Sequence, residues 1–101
     1  MSTTAARRAA EVVANTQYIV AIELLAATRA LWARQAEGPV TLGEGARAAL
    51  VEVEACLGGR EPAPAPADDI ARLVALVRSG KLVTAVERVV GPLAPVLEEG
   101  V

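Results

Sequence analysis

The stretch from Thr3 to Glu37 contains neither proline nor glycine and is rich in alanine, leucine and arginine, which favour helix. We interpret it as one continuous helix that Gly38-Pro39 ends. At a rise of ~1.5 Å per residue such a helix would be ~50 Å long. A compact chain of this size has a radius of gyration of only ~13 Å. The helix is therefore expected to extend beyond the rest of its own chain.

The middle of this helix is uncharged between Glu11 and Glu23. Its apolar residues point in every direction around the axis: Val12, Val13, Ile19, Val20, Ile22, Leu24 and Leu25. A helix that is apolar on all sides is normally buried. The residues after position 37, about 64 of the 101, can cover one side of it but not all sides. The sequence therefore predicts a helical partner, either another copy or a different chain.

A membrane or a signal peptide is a poorer explanation of the apolar segment. Asn15, Gln17 and Glu23 interrupt it, and the uninterrupted apolar run falls short of the ~20 residues that a bilayer requires. The apolar part of a signal peptide comes early and leads to a cleavage site, whereas this segment lies inside a long helix. We therefore expect protein, and not lipid, to cover it.

The composition favours an all-α fold. Hydrophobic residues make up 53% of the chain and charged residues 22%, which argues for a folded chain and not for disorder. Tyr18 and Trp32 are its only aromatic residues, so the core must consist of alanine, valine, leucine and isoleucine, as in closely packed helices. We predict a single helical domain over residues 1–101, with one very long bundle helix (3–37) followed by three or so shorter helices.

Two shorter elements follow the long helix. The second helix is predicted over 41–57, where Thr41 and Glu44 have the spacing of a capping box. Its apolar positions form one stripe, and Gly58-Gly59 ends it. Residues 60–67 contain three prolines that alternate with alanine, which predicts an extended, semi-rigid connector.

The last two helices are predicted over 68–79 and 81–90. Asp68 or a neighbouring residue is expected to cap the third helix, and Ser79-Gly80 ends it. The valines of 81–90 also fit a strand. No sheet partner is evident in the sequence, so we predict a helix there.

No catalytic, cofactor-binding or metal-binding residue is predicted in this chain. Cys56 is the only cysteine, which excludes an internal disulfide and fits a reducing cytoplasm. The sequence contains no histidine to activate the thiol, to bind zinc or to act as a base. The net charge of −2 and the single basic pair Arg7-Arg8 argue against a nucleic-acid partner. We interpret Cys56 as a small buried hydrophobic residue.

Glu23 is the one candidate for site chemistry by position, because it is a carboxylate among apolar residues. A buried carboxylate needs a partner or a raised pKa. We expect it to pair with an arginine across a helix interface in the assembled state; a direct contact with a substrate is the alternative. Asn15, Gln17 and Tyr18 are interpreted as residues that form hydrogen bonds between helices.

Several segments carry a family resemblance. In the long helix they are Thr3-Thr4-Ala5-Ala6-Arg7, Val12-Val13-Ala14-Asn15 and Ile19-Val20-Ala21-Ile22-Glu23-Leu24-Leu25-Ala26-Ala27, and further along they are Ala67-Asp68-Asp69-Ile70 and Leu76-Val77-Arg78-Ser79-Gly80-Lys81-Leu82. In order and at comparable distance, they resemble the carboxyl-terminal portion of the aromatic amino acid ammonia-lyases, histidine ammonia-lyase above all. The resemblance covers most of residues 3–82.

The resemblance implies a nearly all-helical homotetrameric enzyme that eliminates ammonia from histidine, phenylalanine or tyrosine, or an aminomutase that shifts the amino group. The electrophile of that family is a methylidene-imidazolone made from an internal Ala-Ser-Gly. This sequence has no Ala-Ser-Gly, since its only serines are Ser2 and Ser79. It also starts just after the place where the family has an acidic and amide-bearing active-site loop.

Three hypotheses follow from the residues and the resemblance. The first is a small subunit of a split ammonia-lyase or aminomutase, in a hetero-oligomer with a large subunit that carries the electrophile. The second is a non-catalytic helical interaction module derived from a lyase fragment. The third is an unrelated self-assembling helical bundle. The sequence leaves open the substrate, the direction of the reaction and the stoichiometry.

Overall fold

The chain folds into four helices and no strand over residues 2–93, the part that the computed structural model describes. The helices are α1 (Thr3–Gln35), α2 (Glu44–Leu57), α3 (Pro66–Ser79) and α4 (Lys81–Val90). The predicted all-α class, with one long helix before three shorter ones, is confirmed.

Helix α1 begins at the predicted residue and ends two residues early. The hydroxyl of Ser2 accepts a hydrogen bond from the Ala5 backbone N–H at 3.1 Å, which satisfies one of the amides left open at the helix start. The helix ends at Gln35 and not at Glu37. The molecule measures 52 × 37 × 17 Å, with a radius of gyration of 16.1 Å, larger than the ~13 Å of a compact chain of this size. The long helix therefore makes the chain elongated, as expected.

The starts of α2 and α3 differ from the prediction. Helix α2 begins at Glu44 after an extended Gly43, without a side-chain cap, so the capping box that starts at Thr41 was wrong. Helix α3 begins at Pro66, two residues before Asp68. Proline suits the first helical position because the missing N–H would have no partner there. The predicted connector therefore ends before residue 66, and Asp68 lies in the first turn of α3 and does not cap it.

A single glycine joins α3 to α4, which spans the predicted residues 81–90. Gly80 has a φ of 76°, a left-handed conformation that glycine adopts without steric cost. The backbone N–H of Lys81 donates to the Ser79 hydroxyl at 3.2 Å. The tight connection places α4 beside both α3 and α2.

The core lies where α1, α2 and α3 meet. Its buried residues are Ala21, Leu25, Val53, Leu57, Leu73 and Leu76. Helix α1 packs mainly against α3, and α2 packs mainly against α4. Helices α2 and α4 approach closely at Gly45, where an added Cβ would lie 3.4 Å from Cγ1 of both Val86 and Val90. All the buried positions of α1 lie in its carboxyl-terminal half, from residue 21 onward.

Candidate functional site

The amino-terminal half of α1, residues 3–20, is the most unusual surface of the molecule. All its side chains are exposed apart from the half-buried Ala14 and Gln17. The exposed fraction is 62% at Val12, 55% at Ile19 and 42% at Ile22, just beyond this half. Large exposed apolar surfaces of this kind mark sites of protein–protein or membrane interaction. We call residues 3–20 the free half of α1.

One side of α1 faces α3. Ala21 is fully buried there, and one turn earlier the Oε1 atom of Gln17 accepts a hydrogen bond of 2.9 Å from Arg78 Nε. Gln17 therefore makes an interhelical hydrogen bond, as predicted. Asn15 and Tyr18 are exposed and make no such bond to another described residue. Only this side of α1 is covered by the chain's own helices.

Glu23 lies on the opposite side of α1. At ~100° per residue it projects about 200° around the axis from Ala21. It is exposed, and no ion pair within residues 2–93 includes it. The arginine that we expected opposite Glu23 is therefore not supplied by the described part of this chain. Burial of Glu23 in an assembly stays a prediction.

A buried carboxylate does occur, at a residue that the sequence did not single out for this role. The Asp69 side chain is 5% exposed and lies 3.4 Å from Arg29 Nη2 and 3.6 Å from Arg72 Nη1. Its Oδ2 atom also accepts a hydrogen bond from the backbone N–H of Ala63 at 3.1 Å. These contacts join α1, the connector and α3. Asp69 therefore links α1 to the connector and to α3.

A second polar cluster fastens the carboxyl-terminal end of α1 to α2. Trp32 Nε1 donates to Glu54 Oε2 at 2.9 Å, and the guanidinium of Arg60 lies 5.2 Å from the centre of the Trp32 ring. Arg60 also donates to Gln35 Oε1 at 2.9 Å. A cation over an indole is attracted by the negative face of the ring. With Asp69, this cluster anchors one end of α1 while the free half projects.

Cys56 has the environment of a structural residue. Its thiol is partly buried against the core and donates to the Arg72 carbonyl oxygen at 3.3 Å. Burial raises the pKa of the Cys56 thiol above its ordinary value, against the opposing effect of the nearby Arg72 charge. A raised pKa disfavours the nucleophilic thiolate. The thiol therefore does not have the activated state that catalysis requires.

Residues 2–93 hold no group of three or more histidine, cysteine, aspartate or glutamate side chains placed to bind a metal ion. Their surface depressions are open and combine apolar walls with isolated charges. No nucleophilic side chain in this described region forms a hydrogen bond with a base that could activate it. The free half of α1 is thus the candidate functional site, as a surface for association.

Comparison with known proteins finds enzymes that are similar to this chain over most of its length. The chain is 43% identical over 93 residues to histidine ammonia-lyase of Symbiobacterium thermophilum, which covers 92% of this chain and 18% of that protein. It is 45% identical over 98 residues to histidine ammonia-lyase of Streptomyces griseus, with 93% and 18% covered. The same enzyme of Gloeobacter violaceus is 38% identical over 93 residues, with 92% and 18% covered.

No family model and no solved structure matches the chain. The chain spans 18% of the length of the curated relatives that it matches. It is homologous to the carboxyl-terminal region of histidine ammonia-lyase, as the sequence segments predicted.

Proposed function

We propose that this chain, a homologue of the carboxyl-terminal region of histidine ammonia-lyase, is a small helical subunit that completes an aromatic amino acid ammonia-lyase or aminomutase. In this proposal α1 supplies a helix of the central bundle, and α2–α4 supply the carboxyl-terminal region. A large subunit supplies the rest of the enzyme.

The observation that carries the proposal is the exposed apolar surface of α1. Val12, Val13 and Ile19 are each at least 55% exposed, and they lie in a sequence homologous to 18% of much longer enzymes. When another surface covers such apolar groups, the free energy falls by ~25 cal/mol for each Å² removed from water. The parts of the lyase that this chain does not contain are the natural cover.

The proposal divides the chemistry between two polypeptides. Elimination of ammonia needs an electrophile and a positioned base, and the 101 residues contain neither histidine nor Ala-Ser-Gly. The large subunit therefore supplies the methylidene-imidazolone and the acid–base groups. This chain supplies the wall of the bundle. The start of α1, at the positive end of its dipole, faces the site where the substrate carboxylate carries negative charge.

We propose protein and not lipid as the environment of α1. By length and composition α1 is the one helix in residues 2–93 that could cross a membrane. Core helices of water-soluble proteins meet the same criterion, and homology to a named enzyme over 92% of the chain favours such a helix here. The single free thiol of Cys56 fits the reducing cytoplasm, where we place the complex.

A non-catalytic interaction module is the second candidate. It is favoured by the same exposed face of α1 together with the lack of catalytic groups in these 101 residues. Such a module would bind a partner through α1 without changing turnover. The two candidates differ in whether ammonia release depends on this chain.

The test is reconstitution of activity. The chain is mixed with Streptomyces griseus histidine ammonia-lyase from which the segment matched by this chain has been deleted, and ammonia release from histidine, phenylalanine and tyrosine is followed. The deleted segment, supplied as a separate polypeptide, is the positive control, and each protein alone is the negative control. We expect activity with at least one amino acid only in the mixture.

Two outcomes would contradict the proposal. If the separate Streptomyces segment restores activity and this chain does not, the chain does not complete a lyase. If the truncated lyase is fully active and assembled without any added segment, the interaction module takes the place of the split enzyme.

A further inference from the structure

Between Val12 and Ala30, Glu23 is the only ionisable residue on the outer stripe of α1, which continues to Arg8 at one end and to Arg34 at the other. This stripe lies opposite the side that packs on α3 and consists of exposed residues at helical spacing: Val12, Thr16, Ile19, Glu23, Ala27 and Ala30. The charges Glu11 and Arg29 project about 120° away from Glu23 around the axis, and Arg34, only about 20° away, lies ~16 Å further along the helix. The stripe is therefore apolar and mostly small, with one negative charge near its middle.

The one other polar side chain of the stripe is satisfied within the helix. The Thr16 hydroxyl donates to the Val12 carbonyl oxygen at 2.8 Å, so this position needs no partner from outside. Glu23 differs, since no cation in residues 2–93 pairs with it. Residues 94–101 contain no lysine or arginine either. A surface that covers the stripe must therefore supply the countercharge or leave a carboxylate buried without one.

We infer that the outer stripe packs against an apolar helical surface of the large lyase subunit that carries one lysine or arginine, and that this cation pairs with Glu23. The inference rests on the proposed function and adds the chemistry of the partner's contact surface. The alanines of the stripe let a facing helix approach closely, which limits the water available to Glu23. A buried carboxylate without a cation would be strongly unfavourable.

The occupant is assigned to the lyase because most of the relatives' length lies outside this chain, which spans 18% of it. A lone charge in an apolar contact also sets the register between two helices, because a shift by one turn moves the carboxylate away from its cation. Glu23 is thus the residue that selects the partner and its alignment. The apolar residues around it supply the area of contact.

The test compares charge variants of Glu23 in binding to the truncated Streptomyces griseus lyase described above. The immobilised chain is tested as wild type, Glu23→Gln and Glu23→Lys. Glu61→Gln, which removes one exposed carboxylate from the connector, is the matched control. Circular dichroism of each variant checks the fold, which these exposed substitutions leave unchanged.

A paired Glu23 predicts a definite order of affinities. Glu23→Gln weakens binding about 30-fold or more, the equivalent of ~2 kcal/mol, since it leaves the partner's cation buried without a countercharge. Glu23→Lys weakens it further because two cations then face each other. Glu61→Gln changes the dissociation constant less than about twofold, as expected for an exposed charge.

No change in affinity, or tighter binding, with Glu23→Gln would overturn the inference. An exposed Glu23 gives no change with Glu23→Gln, and a carboxylate buried without a cation gives tighter binding, because a neutral amide costs less to bury. In both cases wild-type binding remains, so the proposed function stands. Failure of the wild-type chain to bind overturns both. If Glu23→Lys disrupts self-association of the chain but not binding to the lyase, the occupant is a second copy and the inference is wrong.

Discussion

Replacement of Asp69 by alanine tests how strongly the polar contacts of this residue hold α1, the connector and α3 together. The carboxylate is 5% exposed and contacts Arg29 from α1 and Arg72 from its own helix. It also accepts the hydrogen bond from Ala63 in the connector. The substitution removes all three contacts at once and leaves the Ala63 N–H without its acceptor. Asp68→Ala is the matched control, since Asp68 is exposed and lies in the same first turn of α3.

The magnitude can be built from the separate contacts. A hydrogen bond to a charged acceptor contributes ~1.5–3 kcal/mol. The side chains of Arg29 and Arg72 are 41% and 53% exposed, so water screens both ion pairs, which contribute ~0–1 kcal/mol each. We expect Asp69→Ala to lower the free energy of unfolding by ~2–3 kcal/mol. Asp68→Ala should cost less than ~1 kcal/mol, the size of a charge effect at an exposed helix start.

Urea unfolding followed by far-ultraviolet circular dichroism measures this difference. All variants are compared at one protein concentration, because self-association also contributes to the apparent stability. The midpoint should shift while the slope with urea stays constant, which shows that stability and not compactness has changed. If the two variants agree within ~0.5 kcal/mol, the usual range for surface substitutions, Asp69 does not fasten the helices as the structure indicates.

Three further predictions concern glycine and cysteine positions. Gly45→Ala should raise the free energy of unfolding by ~0.5–1 kcal/mol, because alanine favours helix and its Cβ makes a 3.4 Å contact with α4. Gly80→Ala should lower it by ~1–2 kcal/mol, since alanine is strained at a left-handed φ such as the 76° found there; thermal unfolding would show the opposite signs, and equal signs would contradict this account. Iodoacetamide should alkylate Cys56 more slowly in the folded chain than in urea, because burial raises the pKa of its thiol. Alkylation at equal rates in the folded chain and in urea would contradict this. The raised pKa also makes stability depend on pH: the contribution of Cys56 is full below the unfolded-state pKa of ~8.5 and is lost as the pH rises through the folded-state pKa.

At α2 and α3 the local signals in the sequence predicted the end of the helix better than its start, whereas α1 starts where predicted and ends two residues early. Gly58 and Gly80 end α2 and α3 in left-handed conformations, which few other residues adopt, so glycine is a specific stop signal. Start signals are weaker, because several residues near a helix start can take the cap position. Thr41 has a suitable hydroxyl but lies outside α2, and Pro66 is equally compatible with a connector and with a first helical turn.

Contacts between distant residues could not be predicted. Asp69 and Arg29 are 40 positions apart, and nothing in the local sequence shows that α3 brings this carboxylate to α1. Glu23 is exposed in the single chain because the chain covers only the other side of α1, so its expected burial in an assembly stays a prediction. Periodicity shows which residues share a face, but not which face a partner covers.

The state of the isolated chain in solution tests the central claim most directly, namely that the apolar surface of α1 requires a partner. Sedimentation velocity at micromolar concentration, combined with thermal unfolding, measures that state. The exposed fractions of Val12, Val13 and Ile19, from 55% to 62%, predict self-association or aggregation in place of a stable monomer. A stable species of 10.4 kDa that unfolds cooperatively would contradict the claim.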